Sequence, residues 1–168
     1  MDEIELLVAL ARDTPGCAVR PPSGMPTPRD EHVIPDDLRR FYELCGGISL
    51  FEEAKYPLCI VASNEVSLAN PDIIRNWSED EMRESSPDDI SWSWYVLAVG
   101  DNSQYITIDL SPERLGYCYD SYWELHPHDS EIIATSFTDF LSRILANRGE
   151  YFYWLNPDFY PHFGSPYK

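Results

Sequence analysis

The sequence has few basic residues. Lysine occurs only at Lys55 and Lys168, and 12 Lys and Arg residues stand against 29 Asp and Glu residues. The formal net charge is therefore −17, and the sequence pI is about 4.3. A surface of this sign repels phosphate groups and anionic lipids, so direct binding to nucleic acid or to a membrane is disfavoured. The charge favours either a basic protein as the partner or simply a solvated surface.

Long apolar runs and paired cysteines are also missing. No apolar run approaches the roughly 18 residues that a membrane-spanning helix needs. The N-terminal residues 1–5 are acidic where a secretory signal is basic. The four cysteines are too sparse for a disulfide framework and lack the Cys-x-x-Cys spacing of zinc sites; they are Cys17, Cys45, Cys59 and Cys118. These features predict a cytoplasmic protein with reduced thiols.

No motif for catalysis stands out. A Gly-rich phosphate loop and a Cys/His nucleophile pair are both absent. The segment from His126 to Asp129 holds two imidazoles and a carboxylate, all possible metal ligands, but Pro127 restricts their convergence. The turn from Gly100 to Ser103 weakly resembles the nucleophile turn of small hydrolases, but Asn102 intervenes and a strand rather than a helix follows. A hairpin loop is the better interpretation, because Gly, Asp and Asn are turn formers. The sequence therefore predicts a protein that is not an enzyme and needs no metal or cofactor.

The composition predicts one folded domain. The chain has 168 residues, of which 43% are hydrophobic and 14% aromatic, enough for one sizeable core without disulfides or metal. We interpret residues 1–168 as a single domain whose core spans about residues 34–146. Residues 14–31 form a proline-rich connector, and residues 150–168 form an aromatic-rich tail.

Periodic apolar residues predict three helices. Residues 2–13 and 35–45 each carry one apolar stripe with acidic residues in the first turn. A third stripe follows the cap residue Ser136 and ends near Gly149. Residues 78–89 are polar and predict a loop or an exposed helix, and Glu65–Leu68 is consistent with a helical turn.

Alternating apolar residues predict short strands joined by tight turns. The strands are expected at residues 48–51, 58–61, 91–99, 104–110 and 115–120. The Trp92 and Trp94 side chains are placed on one face of the third of these strands. The order of elements predicts an α+β fold: a mainly antiparallel central sheet with N-terminal helices and a closing C-terminal helix.

The tail after Gly149 is crowded with aromatic residues. It either wraps its own domain or docks on a partner. Because large exposed apolar patches are rare in monomers, we favour the first. A homodimer is compatible with the tail, so both a monomer and a homodimer stay open.

Four segments carry one pattern in chain order. The helix from Pro35 to Cys45 ends in Gly46-Gly47, a strand covers residues 94–100, residues 108–117 contain a strand and a turn, and residues 134–141 open the last helix. This pattern resembles the SUKH superfamily, named for yeast cell-wall and killer-toxin-resistance regulators. The resemblance implies a binding module without catalysis. Bacterial members are immunity proteins that neutralise a toxin, often a nuclease, whereas eukaryotic members are signalling or scaffold modules.

Two acidic segments are the candidate contact surface for such a partner. Residues 78–90 hold six acids and one base, and residues 101–131 hold seven acids and one base. A nuclease has a basic cleft, which an acidic protein can fill. The candidate partner-binding residues are Trp77, Glu79, Asp80, Glu81, Asp88, Asp89, Asp101, Asp120, Trp123 and Glu124.

The functional hypothesis is a cytoplasmic immunity protein that binds a cognate toxin, possibly a nuclease, through its acidic surface. The first alternative is a regulatory or scaffold module that binds a host protein. The remote alternative is a small hydrolase or metal-dependent enzyme built on Ser103 or on His126 and His128.

Overall fold

The central sheet is an antiparallel meander in which each strand pairs with the next one along the chain. It is seen in a computed structural model that describes residues 1–168. The strand order follows the chain from β1 to β7, and every pair is antiparallel. The strands are β1 (Ala18–Val19), β2 (Ile48–Leu50), β3 (Leu58–Ile60), β4 (Trp94–Gly100), β5 (Tyr105–Asp109), β6 (Cys118–Asp120) and β7 (Ile132–Ala134).

Five α-helices accompany the sheet. They are α1 (Glu3–Asp13), α2 (Asp36–Leu44), α3 (Ala69–Ile73), α4 (Glu79–Ser85) and α5 (Phe137–Asn147). Helices α1, α2 and α5 pack against one another, and α5 also contacts β7. No helix has both the length and the apolar composition needed to cross a bilayer. The predicted α+β class, with N-terminal helices and a closing C-terminal helix, is confirmed.

Side-chain caps explain where two of the long helices begin. The Asp2 carboxylate accepts a hydrogen bond from the Glu5 backbone N–H at 2.8 Å, and the Ser136 hydroxyl accepts one from the Asp139 N–H at 3.0 Å. Such caps satisfy N–H groups that have no partner inside the helix. Helix α5 ends at Arg148, whose positive φ of 58° is followed by Gly149.

The core lies on both sides of the sheet. Every residue of β4 from Trp94 to Ala98 is buried, and successive side chains of a strand point to opposite faces, so both faces are covered. The rings of Phe41 in α2 and Phe137 in α5 lie 4.9 Å apart. This pair joins the first and last helices that the sequence resemblance had identified.

Two strands were not predicted. Strand β1 lies inside the proline-rich connector, and β7 precedes α5. Arg20 secures the connector, since its guanidinium donates to the Ile60 carbonyl at 2.6 Å and to the Ser49 hydroxyl at 3.1 Å. The connector therefore supplies an edge strand of the sheet.

The strand predicted from Ser91 onward begins only at Trp94, so the placement of Trp92 on a strand face is wrong. Residues Ile90–Ser93 form a 3₁₀ turn instead. The Asp89 carboxylate accepts hydrogen bonds from the Ser91 N–H at 2.9 Å and the Ser91 hydroxyl at 2.6 Å, which favours the turn over an extended chain. The Trp92 indole N–H donates to the Ser86 carbonyl at 2.8 Å.

The structure has two helical segments around the turn predicted at Glu65–Leu68, one starting before it and one following it. A 3₁₀ turn covers Ser63–Glu65, and α3 starts at Ala69. Pro71 lies inside α3, in its first turn, where a missing N–H removes no helical hydrogen bond. The acidic segment after Ser78, predicted as a loop or an exposed helix, contains the helix α4.

The aromatic tail packs on its own domain, as predicted. Tyr153 and Trp154 are buried, and the Tyr153 hydroxyl donates to the Ile133 carbonyl at 2.8 Å. Further along, the Gly164 carbonyl accepts from the Ile132 N–H at 2.9 Å. The tail thereby lines the outer side of β7.

Candidate partner-binding surface

The first acidic segment is organised by the cap of α4. The Ser78 hydroxyl accepts from the Glu81 N–H at 3.1 Å, and the Glu81 carboxylate accepts from the Ser78 N–H at 2.8 Å. This reciprocal pair fixes the start of the helix. The buried side chain of Met82 attaches the helix to the domain. As a result Asp80, Glu81 and Glu84 are held on an exposed, short helix.

Glu79 differs from its neighbours because it is already paired. Its carboxylate lies 2.9 Å from the Arg83 guanidinium and 2.9 Å from that of Arg29. Hydrogen bonds from Arg83 and then Arg29 lower the pKa of Glu79 below its usual value. Its charge is therefore compensated within the chain, which leaves less of it for a partner.

Trp77 stands beside this helix and is 52% exposed. It borders two adjoining clefts, one of about 420 Å³ on the Glu81 side and one of about 310 Å³ on the Trp92 side. Pro127 and His128 lie across the second cleft. The structure thus brings Trp77 and the acids of α4 next to the loop that follows β6.

Asp89 closes the first segment and is largely buried, since its side chain is 14% exposed. Besides Ser91, its carboxylate accepts from the Tyr167 hydroxyl at 2.8 Å and lies 2.9 Å from His128 Nε2. Burial acts to raise the pKa of Asp89, but the hydrogen bonds from Ser91, Tyr167 and His128 outweigh it and lower the pKa. Asp89 therefore acts as a junction between the acidic segment and the tail. Asp88, by contrast, is exposed.

The second group of candidate residues surrounds the turn after β4. Asp101, Trp123 and Glu124 are all exposed, and Trp123 is 52% exposed, as Trp77 is. The Trp123 N–H donates to the Ser103 carbonyl at 3.2 Å, which brings residues 122–124 against the turn at Asp101–Ser103. The backbone of these exposed residues therefore meets at one turn.

Asp120 does not belong to this surface, so its assignment as a partner contact is wrong. It is 5% exposed and accepts hydrogen bonds from Gln104 Nε2 at 2.8 Å, Trp154 Nε1 at 3.0 Å and the Tyr122 N–H at 3.2 Å. Burial raises the pKa of Asp120 above its usual value, although these three hydrogen bonds act to lower it. The carboxylate instead anchors the tail to the sheet.

The sequence count of acids in this segment also included Asp109, which is fully buried. Its carboxylate accepts from Ser93 Oγ at 2.7 Å, the Ser111 N–H at 2.9 Å and the Tyr119 hydroxyl at 2.5 Å, and it lies 3.3 Å from Arg114 Nε. A buried carboxylate needs such partners to offset the loss of its hydration. Two of the seven acids counted there thus stabilise the interior.

The two histidines of the 126–129 segment have separate partners. His126 is buried, with Nε2 2.7 Å from Asn70 Oδ1, whereas His128 Nε2 lies on Asp89. Burial lowers the pKa of His126 to about 3, so it is neutral at physiological pH. No group of three His, Cys, Asp or Glu side chains is arranged to hold a metal ion. Ser103 makes no hydrogen bond with a histidine.

Sequence reasoning missed the tail residues that support this surface. Trp154 reaches Asp120 and Tyr167 reaches Asp89. The density of aromatic residues signalled that the tail is buried, but nothing in the sequence indicated which carboxylates its N–H and O–H groups contact.

The fold is a small α+β domain built on an antiparallel meander. Its surface carries exposed acidic residues and the two half-exposed tryptophans Trp77 and Trp123. The model of the SMI1 / KNR4 family (SUKH-1) matches residues 31–143. The chain belongs to this family, which confirms the resemblance inferred from the sequence.

A similar curated protein is the "Immunity protein YokJ" of Bacillus subtilis (strain 168). It is 38% identical over 158 residues, which cover 93% of this chain and 91% of YokJ. The similarity therefore extends beyond residues 31–143 at both ends and includes part of the tail. No solved structure matches the chain.

Proposed function

We propose that this protein is an immunity protein that neutralises a cognate toxin by binding it stoichiometrically. The observation that carries the proposal is the 38% identity with an immunity protein over nearly the whole chain. Membership of the SMI1 / KNR4 family agrees with it, because the resemblance to this superfamily implies a binding module. The site of action is the cytoplasm of the cell that makes both proteins.

The charge of the exposed face supports a basic toxin domain as the partner, and a nuclease fits best. Asp80, Glu84 and Asp88 are exposed, and none of them lies in an ion pair within the chain. A nuclease concentrates positive charge in the cleft that binds its phosphate backbone. Exposed carboxylates without internal partners attract such a cleft and raise the association rate.

The two histidines that a reaction could use are engaged in hydrogen bonds, which supports binding rather than catalysis. The His126 and His128 imidazoles are held by Asn70 and Asp89. The proposed mechanism is therefore occlusion: the acidic face covers the toxin's active cleft, and inhibition ends when the complex dissociates.

The test uses the toxin domain encoded beside this protein, purified after co-expression and separated under denaturing conditions. We expect inhibition of its activity to reach an end point at one immunity protein per toxin. We also expect the association rate to fall about tenfold or more between 50 and 500 mM salt, since the shorter Debye length screens the attraction.

Three outcomes would contradict this proposal or part of it. Absence of any complex with the neighbouring toxin would reject the immunity role. Loss of toxin activity at far below equimolar amounts would show turnover and reject occlusion. An association rate that does not change with salt would reject the acidic face as the contact.

A further inference from the structure

Trp77 separates two clefts of different chemistry. The acidic cleft, about 420 Å³, is lined by Asn76, Trp77, Glu81, Glu84 and Ser85. The apolar cleft, about 310 Å³, has Ile74, Met82 and Trp92 among its walls and also includes Trp77 and Ser85. A ligand that bridges the exposed indole would therefore meet carboxylates on one side and apolar side chains on the other.

The carboxylates of the acidic cleft retain unused acceptor capacity. Glu84 accepts no hydrogen bond and makes no ion pair within the chain, and Glu81 uses one carboxylate oxygen for the Ser78 N–H. The nearest base on the helix, Arg83, does not neutralise them. Its guanidinium binds Glu79 at 2.9 Å and lies 4.0 Å from the centre of the Trp92 ring.

The contacts of Arg83 show that this region binds a guanidinium group. A guanidinium stacked on an indole and bonded to a carboxylate is already present once, between Arg83, Trp92 and Glu79. Trp77 with Glu81 and Glu84 repeats the same combination of groups, but here no basic side chain of the chain fills it.

We infer that Trp77 and the two clefts beside it bind a partner segment that carries an arginine next to an apolar residue. The guanidinium lies over the Trp77 indole between Glu81 and Glu84, and the apolar side chain enters the cleft beside Trp92. This inference rests on the proposed function for the identity of the partner, a basic toxin domain, and adds the contact that the partner uses.

Arginine fits this site better than lysine. Its planar guanidinium stacks on an aromatic ring and donates in a fork that two carboxylates can share. A lysine ammonium is more strongly hydrated and donates as a point charge, so it loses more on leaving water.

The direct test uses the dipeptide acetyl-Leu-Arg-amide as the probe and tryptophan fluorescence together with backbone NMR shifts as readouts. We expect saturable binding with shifts at Glu81 and Glu84. The matched peptide with citrulline, which has the same shape without the charge, should bind about tenfold more weakly, and the lysine peptide about threefold more weakly. Equal binding of the arginine and citrulline peptides would overturn the inference.

Trp77 and Trp123 provide a matched pair of variants, because both indoles are 52% exposed. Trp77→Ala should weaken binding of the arginine peptide at least about fivefold, whereas Trp123→Ala should change the affinity less than about twofold. Glu84→Gln and Glu124→Gln form a second pair that removes one charge each. Only the first should weaken binding, by about threefold. Equal effects within either pair would contradict a contact at Trp77.

These results separate the inference from the proposed function. If the toxin is bound and inhibited but Trp77→Ala behaves as Trp123→Ala with both toxin and peptide, the immunity role stands and the arginine site is rejected. If the peptide binds at Trp77 but the neighbouring toxin is neither bound nor inhibited, the arginine site stands and the immunity role is rejected.

Discussion

The two acidic segments have similar composition but differ in how deeply their inward-facing acids are buried. In residues 78–90, Asp80, Glu81, Glu84 and Asp88 are exposed, whereas in residues 101–131 two of the acids, Asp109 and Asp120, are buried. The first segment presents most of its charge at the surface, and the second uses part of its charge to hold β5, β6 and the tail together. A count of acids along the sequence therefore overstates the surface charge of the second segment.

The largest difference should follow removal of the most buried acid. Asp109→Ala leaves the Tyr119 hydroxyl and the Arg114 guanidinium without their partner in the interior. We expect the free energy of unfolding to fall by about 3–5 kcal/mol, the usual cost of removing one partner of a buried ion pair. Urea denaturation followed by circular dichroism measures it.

The matched control for Asp109 is Glu113, which lies four residues further on and is exposed. Glu113→Ala should change the free energy of unfolding by no more than about 0.5 kcal/mol. Similar losses for both variants would contradict the division of this segment into interior and surface acids.

A smaller effect, with opposite sign for two acids, is expected in the pH dependence of stability. The pKa of Asp89 is lowered in the folded state, so its contribution is present above the unfolded value near 3.9 and is lost as the pH falls through the folded pKa. The pKa of Asp120 is raised, so its contribution falls as the pH rises from the unfolded value through the folded pKa. Each pKa unit of difference is worth about 1.4 kcal/mol.

Denaturation profiles between pH 3 and 6 check these signs. On acidification, the wild type should lose stability relative to Asp89→Asn and gain stability relative to Asp120→Asn. Parallel profiles for the wild type and both variants would show that folding shifts the pKa of neither carboxylate. The contrast between Asp89 and Asp120 would then be rejected.

The smallest effect on stability is expected on α4. Asp80→Asn combined with Glu84→Gln should leave the free energy of unfolding within about 0.5 kcal/mol of the wild type. It should also slow association with the toxin several-fold, because these charges steer the encounter. Stopped-flow mixing at low salt measures the rate.

A double variant with the same charge change tests whether position matters. Glu113→Gln combined with Glu131→Gln removes two exposed charges from the other segment. If it slows association as much as the α4 variant does, net charge alone accounts for the effect and α4 is not the contact face.

Most of the fold could be predicted from periodicity because the elements concerned are local. The apolar stripes of α1, α2 and α5 and the alternation in β4 and β5 need no knowledge of distant residues. The elements that were missed depend on distant partners. Strand β1 is formed by pairing of Ala18 with Ser49, and β7 is held between β6 and the tail residue Gly164.

The surface was harder to predict for the same reason. Asp80 and Glu81 are exposed on a helix whose cap is visible in the sequence, and Trp77 directly precedes that cap. Whether Asp120 points outward depends on Trp154, which lies 34 residues later in the chain. Alternation alone identifies the two faces of a strand but not which face the tail will cover.

The strand order has a consequence for the order in which the molecule can fold. Since each strand of the meander pairs with its successor, the sheet can be built in the order in which its strands are synthesised. Pairing of β1 through β6 needs nothing synthesised after Asp120, so the growing polypeptide can organise its sheet on the ribosome and add α5 and the aromatic tail last. A protein with the proposed immunity role benefits from such early assembly.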